Sequence, residues 1–279
     1  MSVIHYIALI RLNKPIGIFL LLWPCLFSLW LAADGIPDIH LIIIFIVGAA
    51  IMRSAGCIIN DIADKNIDIH VWRTQDRPIA SGKITTTQAY MLFTILVATG
   101  AVLLLFTNLL TFMVAIVALL SATIYPFTKR FFAVPQFILG ISFAFSVPMA
   151  FAAQLGHIPI HSWLVYIMVV VWTIMYDTIY ALCDLEDDKK ISIHSSAKFF
   201  GQYVHLAITT MQLLTLAIWI LVLFTFNILN NYSLSISLLI ILLFIYQNYL
   251  IKQNSTKSFL QAFKSNNIVG LLFFISVSL

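Results

Sequence analysis

Charge is scarce in this chain. Asp, Glu, Lys and Arg make up only 9% of its 279 residues, whereas a soluble domain carries about 25%. A water-soluble globular protein is therefore excluded. Cysteine is rarer still: Cys25, Cys57 and Cys183 sit in apolar runs at no metal-ligand spacing. That excludes a disulfide framework and a thiolate metal centre, and leaves packing as their role. Polar alternation is also missing from the apolar runs, which rules out a lipid-embedded barrel, and an open sheet would leave free edges in hydrocarbon. What is present is hydrophobic, at 62% of residues and a mean hydropathy of +1.02. The chain reads as an all-α, polytopic membrane protein forming a single domain over residues 1–279.

A helix crossing a ~30 Å hydrocarbon core needs about 20 apolar residues. Such runs are expected at 16–33, 39–59, 87–106, 109–127, 133–153, 160–183, 204–226, 232–251 and 266–279, the last short enough to be a partial span. All 15 Lys and Arg then fall before the first span or around the loops after the second, fourth, sixth and eighth; the opposite loops have none. This partition supports nine spans. By the positive-inside rule it places the N-terminus in the cytoplasm and the C-terminus outside, in the inner membrane if the source is bacterial. The net charge of +4 is thus a topology signal with some affinity for anionic headgroups, and no nucleic-acid partner is implied. Ala32 and Ala33 after the first run imitate a signal-peptide cleavage site, but the run is long for an h-region and further spans follow, so it reads as a retained helix.

Nine of the eleven acidic residues gather at one membrane face. One cluster is Asp61, Asp64, Asp68 and Asp76; the other is Asp177, Asp184, Glu186, Asp187 and Asp188. Asp64 and Asp184, like Asp68 and Asp188, stand 120 residues apart, a weak hint of an internal repeat. Asn60, Asp64 and Asp68 follow i, i+4, i+8 spacing, as do Tyr176, Tyr180, Asp184 and Asp188, so two continued helices would each carry a carboxylate face. One such cluster is as readily a solvated helix end beside a basic loop. Two on the same side at the same spacing argue for a site. Facing carboxylates repel unless a cation lies between them, and oxygen ligands without His or Cys favour Mg²⁺ before Ca²⁺ or Mn²⁺. Mg²⁺ held by few carboxylates usually bridges substrate phosphates, which points to a diphosphate.

The basic residues fit that picture. Lys65, Arg73 and Arg77 follow the first cluster, and Lys129 and Arg130 end the fourth run in "YPFTKR", where Tyr125 shares a face with Lys129. Lys252, Lys257 and Lys264 read as topology residues. Arg53 lies two turns deeper than Asn60, and a buried Arg needs an anion.

At these residues the chain resembles the intramembrane aromatic prenyltransferases, over essentially its whole length. The resemblance rests on "RLNKPIG", "LLWP", "MRSAGCIINDIADKNIDIHVWRTQDRPIASG", "YPFTKR", "PQFILGISFAFSVPMAFAA", "YDTIYALCDLEDD" and "FGQY". It implies a nine-helix bundle whose central cavity is capped by cytoplasmic loops and opens sideways to lipid. It implies Mg²⁺-assisted transfer of a polyprenyl chain from its diphosphate to the ring carbon ortho to the hydroxyl of 4-hydroxybenzoate, in ubiquinone biosynthesis. Asn60, Asp64, Asp68, Asp184 and Asp188 match the family's metal–diphosphate motifs, and Arg130 its functional arginine. Lys129, Arg130, Arg73 and Arg77 would share the diphosphate charge. Arg53, Tyr125, Tyr176 and Tyr180 would face the acceptor, with Arg53 and Arg130 both candidates for its carboxylate. Glu186 and an early C-terminus are the departures. A cation transporter is disfavoured because both acidic clusters lie at one face.

Overall fold

The computed structural model describes residues 3–190 and 193–278, and no strand occurs among them. A short helix α1 (Val3–Leu9) precedes α2 (Ile16–Ala33), α3 (Ile39–Ala63) and α4 (Lys65–Asp68). Then come α5 (Thr86–Leu104), α6 (Leu109–Thr128), α7 (Pro135–Ala144), α8 (Ser146–Leu155), α9 (Ser162–Ala181) and α10 (Leu185–Asp188). The chain continues with α11 (Ser196–Phe200), a 3₁₀ turn at Gly201–Tyr203, α12 (Val204–Thr225), α13 (Asn231–Lys252) and α14 (Thr256–Ser278). With α7–α8 and α11–α12 each taken as one span, nine helices among the described residues are long and apolar enough to cross a membrane.

Local chemistry sets the boundaries. Thr85 and Gln88 form a reciprocal capping box at the start of α5, as Asn230 and Ser233 do for α13, and the Asn108 side chain accepts from Thr111 N–H to start α6. The fifth span breaks at Phe145 because Pro148, in the first turn of α8, cannot donate to the carbonyl of Ala144.

The last span corrects a sequence expectation. It is a full helix of 23 residues, so Lys257 and Lys264 lie in α14 rather than in the loop before it. Its first three turns are polar, which lowers the hydropathy, yet Ser265, Asn266 and Asn267 are satisfied inside the bundle. Trp23 Nε1 donates to Asn267 at 2.8 Å, Trp172 Nε1 to Asn266 at 3.2 Å, and Gln247 Nε2 to Ser265 at 3.0 Å. Such bonds hold helices together where lipid offers no hydrophobic drive.

α2 packs against α3, α8 and α14, while α9 packs against α7, α12 and α14. Away from the motifs a large core closes the bundle, with Phe27, Trp219, Phe273 and Trp172 in edge-on or tilted contact. At the end carrying Asp64 and Asp184 a cavity opens, and Val71, Arg73, Thr74 and Arg77 of the segment after α4 line it. Ile79 and Ile84 anchor that segment in a small cluster with Leu9 and Ile58. α5 and α6 stand at the periphery and expose large apolar side chains such as Ile95, Val102, Ile116 and Leu120.

Candidate functional site

A cavity of about 950 Å³ lies between α2, α3, α5, α6, α7 and α9 and reaches the motif end of the bundle. Its deep part is apolar and lined by small residues, including Gly48, Ala49, Gly100, Ala101, Ala115 and Ala118. Its shallow part gathers Asn60, Asp64, Asp68, Asp184 and Asp188 with Arg73, Arg77 and Lys129. The two acidic motifs therefore face one cavity, as their spacing predicts.

The helices do not continue as the spacing implies. α3 ends at Ala63, Asp64 caps it at φ −90°, ψ 6°, and Asp68 sits on the separate turn α4. α9 likewise stops at Ala181, leaving Asp184 in a turn and Asp188 on α10. The register survives the break because Asp64 N donates to Asn60 O at 2.9 Å and Asp68 N to Asp64 O at 2.8 Å. Ending a helix frees carbonyls that need partners. Arg130 Nη2 supplies one, donating to Ala63 O at 2.7 Å.

This relocates Arg130. Its side chain is exposed, lies over Phe127 and is absent from the cavity wall, whereas its neighbour Lys129 lines it. Consecutive residues past a helix end project in different directions, so the spacing alone could not assign both. Tyr176 is a second correction. It lies behind the wall, edge-on to Trp172, with its hydroxyl buried and without a hydrogen-bond partner, while Tyr125 and Tyr180 reach the cavity.

Asp61, Asp64, Asp68 and Asp184 each meet a cation. Lys129 Nζ lies 2.5 Å from Asp64 and 3.2 Å from Asn60 Oδ1; Arg77 Nη1 lies 2.7 Å from Asp68 and 3.2 Å from Asp61; Arg11 Nη2 lies 2.8 Å from Asp61. Arg73 grips Asp184 with two nitrogens, Nε at 2.7 Å, donates to the Tyr180 hydroxyl at 2.5 Å and lies over that ring at 4.7 Å. Trp72 N–H also donates to Asp187, so the segment after α4 is tied to the second motif at two points. Burial opposes charge on Arg73, Arg77 and Lys129, yet their carboxylate partners hold all three pKa values above the ordinary range. Burial raises Asp68 against the pull of Arg77, and burial with the charge of Asp184 pushes Asp188 up to about 6. Asp76, Glu186 and Lys65 are exposed.

The donor set suits a hard cation shared with a ligand. Among the described residues no three His, Cys, Asp or Glu side chains converge closely enough to hold a metal by themselves. Yet Asp64 Oδ1 is buried without a hydrogen-bond partner. An orphaned carboxylate oxygen beside a second acidic motif is what an Mg²⁺ site completed by phosphate oxygens requires.

Deeper in the cavity, Arg53 packs over Gly17 and points Nη1 at the Cys57 thiol, 2.9 Å away. Its Nε is buried and has no hydrogen-bond partner, and no carboxylate among the described residues forms an ion pair with it. Sequence reading passed over two neighbours, Gly17, which makes room for this side chain, and Gln136 on α7, and counted Asp177 on α9 only as one of the second acidic cluster. The last carried a signal, as a lone acid inside an apolar span.

Relatives of known name are similar over nearly the whole chain. A 4-hydroxybenzoate octaprenyltransferase of Vesicomyosocius okutanii subsp. Calyptogena okutanii is 48% identical, covering 96% of this chain and 98% of that protein. One from Coxiella burnetii is 45% identical, covering 99% and 96%. Among solved structures, an apo UbiA homolog from Aeropyrum pernix K1 superposes with a TM-score of 0.81 at 22% identity, covering 93% of this chain and 96% of that one. A UbiA homolog from Archaeoglobus fulgidus, bound to GPP and Mg²⁺, gives 0.73 at 17% identity, covering 98% and 99%. At that identity the structures bear on the fold alone. The model of the UbiA prenyltransferase family matches residues 21–276, and on this and the curated relatives the chain belongs to that family of multi-pass integral membrane proteins.

Proposed function

We propose that the protein transfers a polyprenyl chain from its diphosphate to the ring carbon ortho to the hydroxyl of 4-hydroxybenzoate, as a step of ubiquinone biosynthesis. The observation that carries this reading is Arg53. A guanidinium with an orphaned nitrogen, set in an apolar cavity two turns below the first acidic motif, calls for a small anionic ligand at that depth. The carboxylate of an aromatic acid fits, and the names of the relatives supply the same acceptor.

Asn60, Asp64, Asp68, Asp184 and Asp188 would hold Mg²⁺ together with diphosphate oxygens. When bound, the ion neutralises negative charge that builds on the diphosphate as the allylic C–O bond breaks. Lys129, Arg73 and Arg77 share the rest of that charge from the cavity wall. Tyr125 and Tyr180 present aromatic faces to the allylic cation, and the closed core beneath keeps water away from it. The apolar part of the cavity between α3, α5 and α6 takes the isoprenoid tail. Residues 1–279 act as one domain, with the N-terminus and both motifs in the cytoplasm, in the inner membrane if the source is bacterial. Cysteines placed in residues 69–84 should label only from that side.

The test is an assay of membranes with 4-hydroxybenzoate, prenyl diphosphates of several lengths, and Mg²⁺ or EDTA. Activity should require both the acceptor and the metal, and Asp64→Asn or Asp184→Asn should abolish it with the protein still inserted. Metal-independent turnover, or full activity in either variant, would refute the site.

A further inference from the structure

We propose that Asp177 is a catalytic residue that accepts the phenolic proton of the acceptor; this rests on the reading of 4-hydroxybenzoate as that acceptor, with its carboxylate on Arg53. Asp177 lies on α9, half-buried in the cavity wall. Asp61, Asp64, Asp68 and Asp184 are each in an ion pair, whereas no ion pair among the described residues engages Asp177 or Asp188, and of these two only Asp177 lies at the depth of Arg53. The charged and titratable groups around it are Lys129 past α6, Arg53 on α3, Tyr125 on α6, Tyr176 on α9 and Asp184 beyond it, with Gln136 of α7 beside its carboxyl. It therefore stands on α9 at the depth of the cation assigned to the acceptor's carboxylate, two turns below the motifs assigned to the diphosphate.

The position is built. Asp177 precedes Asp184 by seven residues, as Arg53 precedes Asn60, so both lie two turns deeper than their motifs on elements that face one cavity. Gln136 Oε1 accepts the N–H of Ser196 at 2.9 Å, which leaves the amide NH₂ to face Asp177. The Ser196 hydroxyl is itself bonded to Thr178 at 2.7 Å, one residue from Asp177 on the same helix. The neighbours thus present donors to this carboxylate and fix it as an acceptor.

A para-hydroxy acid has its two polar groups at opposite ends of the ring. With the carboxylate on Arg53 of α3, the hydroxyl reaches across the cavity toward α9, beside the carbon that reacts, and needs an acceptor there. As that ring carbon bonds to the allylic carbon, a ring electron pair forms the new C–C bond and positive charge spreads to the phenol oxygen. The O–H bond then breaks, its electron pair stays on oxygen as a carbonyl, and the proton passes to a carboxylate oxygen of Asp177. The ring C–H breaks next. Its pair restores the aromatic ring, its proton goes to the departing diphosphate, and the oxygen recovers its proton from Asp177, which returns to the carboxylate.

The experiment compares wild type, Asp177→Asn and Asp177→Glu in membranes with Mg²⁺, geranyl diphosphate and 4-hydroxybenzoate from pH 7.5 to 9. Asp177→Asn should lower kcat by about 10²- to 10⁴-fold while both KM values stay within about threefold. Its residual rate should climb with pH, as more acceptor arrives already ionised, while the wild-type rate does not. Asp177→Glu should recover part of kcat, and binding of labelled geranyl diphosphate should be the same in all three. A kcat for Asp177→Asn within about threefold of wild type overturns the proposal. So does a loss confined to the 4-hydroxybenzoate KM with an unchanged pH profile. A wild-type enzyme that does not prenylate 4-hydroxybenzoate at all would instead overturn the functional reading on which this one rests.

Discussion

Gly17→Ala tests the acceptor site without touching a charged group. A Cβ on Gly17 would lie 2.6 Å from Arg53 Nε, 2.7 Å from Nη2 and 2.9 Å from Cζ, whereas ordinary contact begins at 3.4 Å, so the guanidinium must retreat by about 0.8 Å. The clash is with the far end of a flexible side chain, and α2 itself gains about 0.5–1 kcal/mol from exchanging Gly for Ala. The variant should therefore fold and insert normally. A charge-assisted hydrogen bond of about 2.8 Å lengthened by that retreat is no longer a hydrogen bond. Such bonds contribute about 1.5–3 kcal/mol, which at 1.4 kcal/mol per factor of ten is a rise of about 10- to 150-fold in the acceptor's KM. Steady-state rates with 4-hydroxybenzoate varied at saturating prenyl diphosphate, and then the reverse, separate the two KM values. Arg53→Lys, which keeps the charge but loses the planar fork, should move the same constant in the same direction. An acceptor KM within about twofold of wild type, or an equal rise in the diphosphate KM, would refute the assignment of Arg53 to the acceptor.

Two further outcomes test the shallow site. Lys129→Met removes the cation beside Asp64 and should raise the diphosphate KM by about 10- to 100-fold, whereas Arg130→Ala removes a donor to Ala63 O and should lower stability while leaving that KM within about threefold; equal effects on KM would undo the distinction drawn between these neighbours. Asp188 is raised to about 6 by burial and by Asp184, so a proton competes for this candidate ligand below that pH. Mg²⁺ affinity of the substrate-free protein should fall as pH drops through about 6 and level off above about 7, and titration of the metal at a series of pH values that found no change would remove Asp188 from the ligand set.

The parts of the fold that were legible in the sequence are those governed by a single strong physical rule. Lipid admits only long apolar helices, and loop cations partition by side, so seven of the nine spans lie within a few residues of their expected limits, while the seventh, taken with α11, begins eight residues early. α14 escaped that rule because Ser265, Asn266 and Asn267 are polar by composition yet satisfied by Gln247, Trp172 and Trp23, partners distant in sequence. The site divides in the same way. Spacing at i, i+4 placed Asp64, Asp68, Asp184 and Asp188 on one cavity, and their alignment holds even where the helices break. It could not separate Lys129 from Arg130, because past a helix end direction depends on the turn.

Depth was the weaker signal and the more informative one. Arg53 and Asp177 are single ionisable residues inside apolar spans, each two turns from a motif that draws attention away from it. A charge in that position costs more than one at a helix end, so its retention demands a stronger reason. For Arg53 that reason was readable as a missing anion. For Asp177 it became readable only when the ion pairs of its acidic neighbours were known, since Lys129, Arg73 and Arg77 are each held by other carboxylates. A carboxylate kept apart from the cations around it stays available to a proton donor, and in this cavity the proposed acceptor brings one.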